Sequence, residues 1–267
     1  MSSDFGEVSD RRPLQDLGPI RGWAPWPEPR VIATTGSTMV DVEQLAAQGA
    51  PEGTLVVAEE QTAGRGRRGR PWESAQYAGL WMSLLLRPDP SRDRMGWLPL
   101  VVGIGVARAV TAVTGVPARL KWPNDVVVVT DGQVGKLAGL LAERLADGAV
   151  VFGLGINVSQ RADELPAGGT SLYLQGAQVT RETVLTEVLS EVARAYRSWC
   201  AGDDLATAYI ELSATMGERV RVHRTGGDVV GVAAALGSGG ELIVIDDAGR
   251  EHSITAGDVV HLRPAGG

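Results

Sequence analysis

The sequence predicts an α+β fold: a mixed β-sheet with helices, followed by a small all-β barrel. Two observations carry this expectation. From Arg30 to Leu212, short apolar strand-like runs alternate with stretches of helical periodicity, among them a long apolar helix over Leu98–Thr114. Past Gly217 the composition changes to short strands separated by Gly or Asp turns, the pattern of a compact barrel of about 50 residues. A chain of 267 residues has room for one large domain and one small one, with a real core.

Taken in order, residues 1–28 hold Asp4, Glu7, Asp10, Arg11 and Arg12, and then a series of prolines from Pro13 to Pro27. They read as a tail, part disordered and part extended lead-in, too short and too proline-rich for a helix-turn-helix domain. The main domain is expected over 29–215 and the barrel over 216–267. Val31–Ala33 forms a strand, and Thr34–Thr38 a turn whose hydroxyls suit a helix N-cap. Val42, Leu45 and Ala46 recur at helical spacing before a stop at Gly49. Strands follow at Leu55–Ala58 and Leu80–Leu86, then the apolar helix, in which Gly103 and Gly105 permit close packing. Further strands are expected at Ala118–Trp122, Lys136–Ala142 and Val150–Ile156, and helices at Thr183–Trp199 and Leu205–Leu212. The barrel strands are Arg219–Arg224, Val229–Ala235, Glu241–Ile245, His252–Ile254 and Val259–Leu262.

Hydrophobic residues make up 44% and charged residues 21%, ordinary values for a soluble globular chain. No uninterrupted apolar run approaches the roughly 20 residues of a membrane span, and no basic-then-apolar leader opens the chain. Cys200 is the only cysteine, so an intrachain disulfide and a Cys-rich zinc site are excluded, and a reducing, cytoplasmic setting is expected. Cys200 itself reads as a buried thiol at a helix end. His223, His252 and His261 show no metal-ligand spacing. The net charge of -7 argues against bulk nucleic-acid binding.

Against that acidic background, Gly64-Arg65-Gly66-Arg67-Arg68-Gly69-Arg70 stands out. Its glycines let backbone amides approach a ligand, and its guanidinium forks match phosphate or carboxylate. It is neither a phosphate-binding Walker loop nor a dinucleotide fingerprint. Alone, it suits a solvated basic loop as well as an anion site. Lys121-Trp122-Pro123-Asn124-Asp125 follows a strand and brings an ammonium, an amide and a carboxylate to one rim, although Pro-Asn-Asp is also an ordinary turn with a buried tryptophan before it. Gly135-Lys136-Leu137-Ala138-Gly139 puts a lysine at the mouth of an apolar strand.

These three stretches, in this order and with Gly153-Leu154-Gly155-Ile156-Asn157-Val158 beyond them, resemble the biotin protein ligases. The similarity in motif order runs from about Thr34 to the C-terminus. The resemblance implies a catalytic domain similar to class II aminoacyl-tRNA synthetases and an SH3-like C-terminal barrel, in the monofunctional type without a DNA-binding domain. It implies ATP, biotin and Mg²⁺ as the small molecules, and a biotin carboxyl carrier domain of an acyl-CoA carboxylase as the protein partner. It implies no DNA or membrane partner and a monomer or weak dimer. By position, Arg65 and Arg67 would grip the adenylate phosphate and biotin carboxyl, and Lys136 would stabilise charge at the α-phosphate. Lys121, Asn124 and Asp125 would border the phosphates and metal, with Arg68 and Arg70 on the nucleotide. Ser37, Thr38, Gln61 and Gly64 would contact biotin, Trp72 would pack on adenine, and Asn157 would lie beside the nucleotide. No residue is assigned as a metal ligand.

Plainer roles stand beside several of these: Ser37 and Thr38 as helix caps, Trp72 as core, Glu143 and Asn157 as satisfied sheet-edge groups. The family usually has Ser-Thr-Asn where this chain has Ser37-Thr38-Met39, and methionine cannot make the amide's hydrogen bonds, so Met39 is left out of the site. The arginine loop is expected to order only when ligand arrives. Lipoate protein ligase, a nucleic-acid-binding regulator and an inactive ligase relative are the competing readings.

Overall fold

The computed structural model describes residues 11–14, 20, 23, 26–88 and 92–262. Its larger sheet has seven strands: β1 (Arg30–Thr35), β2 (Leu55–Gln61), β3 (Gly79–Leu86), β4 (Ala118–Lys121), β5 (Asp125–Thr130), β6 (Gln133–Arg144) and β7 (Val150–Asn157). They lie in the order β1-β2-β3-β7-β6-β5-β4; β1 and β2 run parallel and every other neighbouring pair antiparallel. The expected mixed sheet is therefore present. One strand, β5, is absent from the sequence expectations. Its four valines, Val126–Val129, sit between the Asn124-Asp125 and Asp131-Gly132 turns, and a strand in mid-sheet need not alternate apolar with polar. As a result Lys121 and Lys136 lie not on adjacent strands but on either side of β5, and Lys136 lies within β6 rather than at its mouth.

The helices are α1 (Thr38–Ala47), α2 (Leu98–Thr114), α3 (Arg181–Cys200) and α4 (Ala206–Leu212). Helix α2 has Pro99 in its first turn and stops at Gly115, whose φ of 72° closes it. By length and hydropathy Arg94–Thr114 could cross a bilayer, which the sequence reading did not register. In the fold it is the central core helix, with Val101, Ile104, Val106 and Val110 fully buried. It packs against α3 through Gly105, where a Cβ would fall 2.8 Å from the Val192 backbone. Helix α3 is capped by Thr180, which accepts from the Thr183 amide, and its Val184, Leu185, Val188 and Leu189 face the same core. Each such side chain, fully buried, contributes roughly 1.5–3 kcal/mol.

Among the described helices, α1 covers the opposite face of the sheet, over a smaller cluster of Met39, Val42, Ala46, Val56, Leu85 and Val151. That leaves part of this face open, and the site lies there.

The second sheet is antiparallel, with β8 (Arg219–His223), β9 (Val229–Leu236), β10 (Leu242–Ile245), β11 (Glu251–Ile254) and β12 (Asp258–His261) in the order β11-β10-β9-β8-β12. Val220, Val222, Ala233, Leu242 and Val244 fill its interior. Two tryptophans tie it to the larger sheet: Trp97 Nε1 donates to Ser238 O at 2.9 Å, and Trp122 Nε1 to Gly240 O at 3.1 Å.

Where described, the lead-in has no regular structure and lies against the larger domain. Trp23 is 3% exposed, Trp26 packs against Gly53, and residues 11–14 cross a buried ion pair between Glu59 and Arg181, 2.6 Å apart. Ile20 also packs against the core, and the other residues before 26 lie outside the described set. Cys200 is exposed rather than buried, because it lies on the outer side of the last turn of α3.

Candidate active site

The open face of the sheet holds a cleft of about 610 Å³, a size suited to a small-molecule ligand. Its floor is backbone. Gly139 of β6 and Gly155 of β7 stand opposite each other in register, and the Trp72 ring lies on both. A Cβ on Gly155 would reach 2.5 Å from that ring, and one on Gly139 would reach 2.7 Å. Trp72 is therefore neither free in solvent nor plain core: it lines the cleft, with its Nε1 buried and unpartnered.

The arginine loop forms the rim. Its shape is set by main-chain bonds: Gly66 N donates to Arg70 O at 2.7 Å, Trp72 N to Gly64 O at 2.9 Å, and Arg65 bridges Pro71. The turn between them needs φ values of 56° at Arg68 and 71° at Gly69. Gly64 is indispensable to the closure, since a Cβ there would sit 2.5 Å from Trp72 O. The four guanidiniums point different ways. Arg65 pairs with Glu43 of α1 at 3.2 Å and Glu143 of β6 at 3.3 Å. Arg67 donates to Asn124 Oδ1 at 2.8 Å, and its pKa is lowered by burial, with Asp258 partly opposing the shift. Arg68 and Arg70 reach Asp258 of β12 at 3.0 and 3.2 Å. Arg65, Arg67 and Arg70 line the cleft; Arg68 and Gly64 do not.

Across the floor, Lys136 Nζ lies 2.8 Å from Asp125 Oδ1 and 5.3 Å from the Trp72 ring centroid. Asn124 donates to Leu140 O at 2.7 Å, which pins the turn after Lys121 against β6. Lys121, Asn124, Asp125 and Lys136 are thus brought to one wall, and Trp122 beneath them is 2% exposed.

At the α1 end, Gln61 caps the helix: its Oε1 accepts from Thr38 N at 2.9 Å and from Thr38 Oγ1 at 3.1 Å. Ser37 occupies the N-cap position but makes no capping bond, and its Oγ is buried and unpartnered. Met39 does line the cleft, with its sulfur placed where a Cβ on Gly153 would come within 2.8 Å. It supplies an apolar wall, not a hydrogen bond. Ser83 of β3, which shares a 2.8 Å bond with Thr38 Oγ1, went unnoticed in the sequence; it is the one polar residue in an otherwise apolar strand.

At the other end, Asn157 Nδ2 donates to Thr170 O at 2.9 Å and Lys136 O at 3.3 Å, while its Oδ1 accepts from Gln160 at 3.2 Å. Its amide is committed to the protein, which fits the plainer role considered for it. Gln160 and residues 164–169 also line the cleft. Nothing in their composition singles them out. Asp258 was missed because it lies in the barrel, nearly 190 positions from the loop it meets.

The chain is similar to known proteins. The family model described as biotin/lipoate A/B protein ligase family matches residues 30–160, and that of the biotin protein ligase C terminal domain matches 215–262. The biotin--[acetyl-CoA-carboxylase] ligase of Mycobacterium tuberculosis is 41% identical over 95% of this chain and 96% of its own length. The chain belongs to the biotin protein ligase family. A ligase of the same printed name from Paracoccus denitrificans is 32% identical over 83% of this chain and 95% of its own. Among solved structures, the Aquifex aeolicus biotin protein ligase in complex with biotin and ATP superposes with a TM-score of 0.75 at 30% identity, covering 90% of this chain and all of that one. The two matched segments leave Arg11–Leu14 and residues 161–214 outside them.

Proposed function

We propose that the chain is an ATP-dependent biotin protein ligase that makes biotinyl-5′-AMP and passes the biotinyl group to a lysine of a biotin carboxyl carrier domain. The observation that carries this is the gathering of Arg67 and Lys136, through Asn124 and Asp125, at one wall of a mostly apolar cleft floored by glycines.

In the first step a biotin carboxylate oxygen attacks the α-phosphorus of ATP and pyrophosphate leaves. Two unit charges 4 Å apart repel by about 4 kcal/mol at an effective dielectric of 20, and several such pairs meet here. Arg67 and Arg65 offset this repulsion on the loop side, with Arg70 and Arg68 farther out. Lys136 offsets it from β6, turning from Asp125 to the developing charge. In the second step the carrier lysine attacks the acyl carbon and AMP leaves. Ser37, Thr38 and Gln61, with Met39 as apolar wall, hold biotin; Lys121, Asn124 and Asp125 border the phosphates; Trp72 faces adenine, with Asn157 beside it. Gly64 acts through the loop's shape.

Among the described residues no group of three or more His, Cys, Asp or Glu gathers to hold an ion. A Mg²⁺ carried mainly by the triphosphate and water fits this donor set, with Asp125, the carboxylate beside Lys136, able to meet it. Such an ion would offset phosphate charge. A single cysteine accords with a cytoplasmic setting.

Incubation with ATP, Mg²⁺, biotin and a biotin carboxyl carrier domain should release pyrophosphate and label the carrier. Failure to form biotinyl-AMP, or preferential transfer of lipoate run in parallel, would overturn the reading.

A further inference from the structure

The segment Arg11–Leu14, which precedes the family-matched region, is bonded at one end to a buried charge pair and at the other to the wall of the cleft. Glu59 and Arg181, with side chains 3% and 5% exposed, form the pair. Each also takes a main-chain partner from the segment: the Leu14 amide donates to Glu59, and Arg181 donates to Arg12 O. The Arg12 side chain adds a 2.7 Å contact with Glu182. These bonds fix the segment's path. Its Arg11 then reaches forward, donating to both oxygens of Glu164 and, at 3.0 Å, to Ser159 O. The Arg11 side-chain bonds hold the Glu164 carboxyl well below the usual range, at about 2, so it stays charged.

Glu164 belongs to the stretch that lines the cleft beside Lys136 and Asn157. Downstream, that stretch hydrogen-bonds both sides of Lys136: Lys136 N donates to Gly168 O, and Thr170 N to Lys136 O, both at 2.8 Å. Arg11 supplies the side-chain hydrogen bonds to Glu164, and Gly169 N donates to Pro166 O at 2.9 Å within the stretch. The stretch is flanked by Gln160 and Thr170, which both bond Asn157 at the end of β7; Asn157 lies four residues along the strand from Gly153, on which Met39 packs, roughly 13 Å at 3.3 Å per residue. It therefore borders the end of the cleft away from Ser37 and Thr38.

We propose that Arg11 is a positioning residue for the nucleotide half of the cleft, acting through Glu164 to hold residues 161–169 against Lys136. The proposal rests on the ligase reading above, with ATP at the Lys136–Asn157 end. A loop already ordered before ATP arrives loses less entropy on binding, so the tie acts on ATP affinity and not on the chemical step.

The test is steady-state biotinyl-AMP formation by wild type, Arg11→Ala, Arg11→Lys, Glu164→Gln and Arg11→Ala/Glu164→Ala. For a partly exposed pair the expected change in Arg11→Ala is a KM for ATP raised about two- to fivefold. The KM for biotin, kcat and Tm should stay close to wild type. Arg11→Lys should recover part of the loss, Glu164→Gln should reproduce it, and the double variant should be no worse than Arg11→Ala alone. Unchanged ATP kinetics in Arg11→Ala and Glu164→Gln would overturn the proposal. So would equal losses for ATP and biotin with a lowered Tm, the mark of a merely structural tie. A wild-type protein that forms no biotinyl-AMP would reject the ligase reading instead, so the two failures are distinguishable.

Discussion

Asp258 Oδ2 lies 3.0 Å from Arg68 Nη1, which joins the last strand of the barrel to the arginine loop of the larger domain. Arg70 reaches the same carboxylate at 3.2 Å and Arg67 stands 3.8 Å from it. One anion thus serves three cations that otherwise repel one another. Exposed pairs of this kind contribute only about 0–1 kcal/mol each, so phosphate oxygens can take the arginines over. Asp258→Asn should leave the barrel folded while the Gly64–Arg70 loop is cut faster by trypsin in the empty protein. Adding biotin, ATP and Mg²⁺ should restore protection. Equal cleavage of wild type and variant without ligand would show that the carboxylate does not hold the loop.

Arg67→Ala removes the cation that bonds Asn124 at 2.8 Å. Hydrogen bonds from charged groups contribute about 1.5–3 kcal/mol, which corresponds to roughly 10- to 150-fold in affinity. The variant should keep a Tm within a few degrees of wild type and lose biotinyl-AMP much faster, as measured by stopped-flow or filter retention. Global unfolding would make Arg67 structural.

Lys136→Ala should slow biotinyl-AMP formation by about 100-fold or more while biotin binding, followed by calorimetry, changes far less. An equal loss in both would place the ammonium in ground-state binding.

Gly155→Ala puts a methyl 2.5 Å from the Trp72 ring and so forces the ring off the floor. Overpacking costs about 1–3 kcal/mol, so a folded but less stable protein with weakened ligand binding is expected by thermal melt and calorimetry. Unaltered binding would show that the ring's seat on the glycines has no part in the site.

Arg181→Ala strands the Glu59 carboxylate, 2% exposed, without its cation. Leaving one member of a buried pair costs about 3–5 kcal/mol, so the melting temperature should fall by many degrees. A small shift would mean that Glu59 finds another partner.

Much of the fold is legible because periodicity reports burial: Leu98–Thr114 and the barrel strands follow directly from apolar spacing. Strand β5 shows the limit, since a buried valine run between two turns carries no period. The cationic side of the site was legible for a chemical reason: Arg65, Arg67, Lys121 and Lys136 are conspicuous in an acidic chain. The acidic side was not. Glu43, Glu143, Asp258 and Glu164 look like surface carboxylates until folding sets each against an arginine. The contacts of the lead-in are illegible for a related reason. Its prolines signal the lack of regular structure, and a segment without regular structure can still be fixed by main-chain bonds to Glu59 and Arg181.

Gly139 and Gly155, side by side on β6 and β7, make the cleft by subtraction. A pocket built from walls can be reshaped by exchanging one side chain for another of different bulk. A trench made by omitting side chains has no such adjustment, because every replacement adds atoms and fills it. Selection for new ligands in this scaffold is thereby confined to the rim: α1, the arginine loop and the stretch that Arg11 holds.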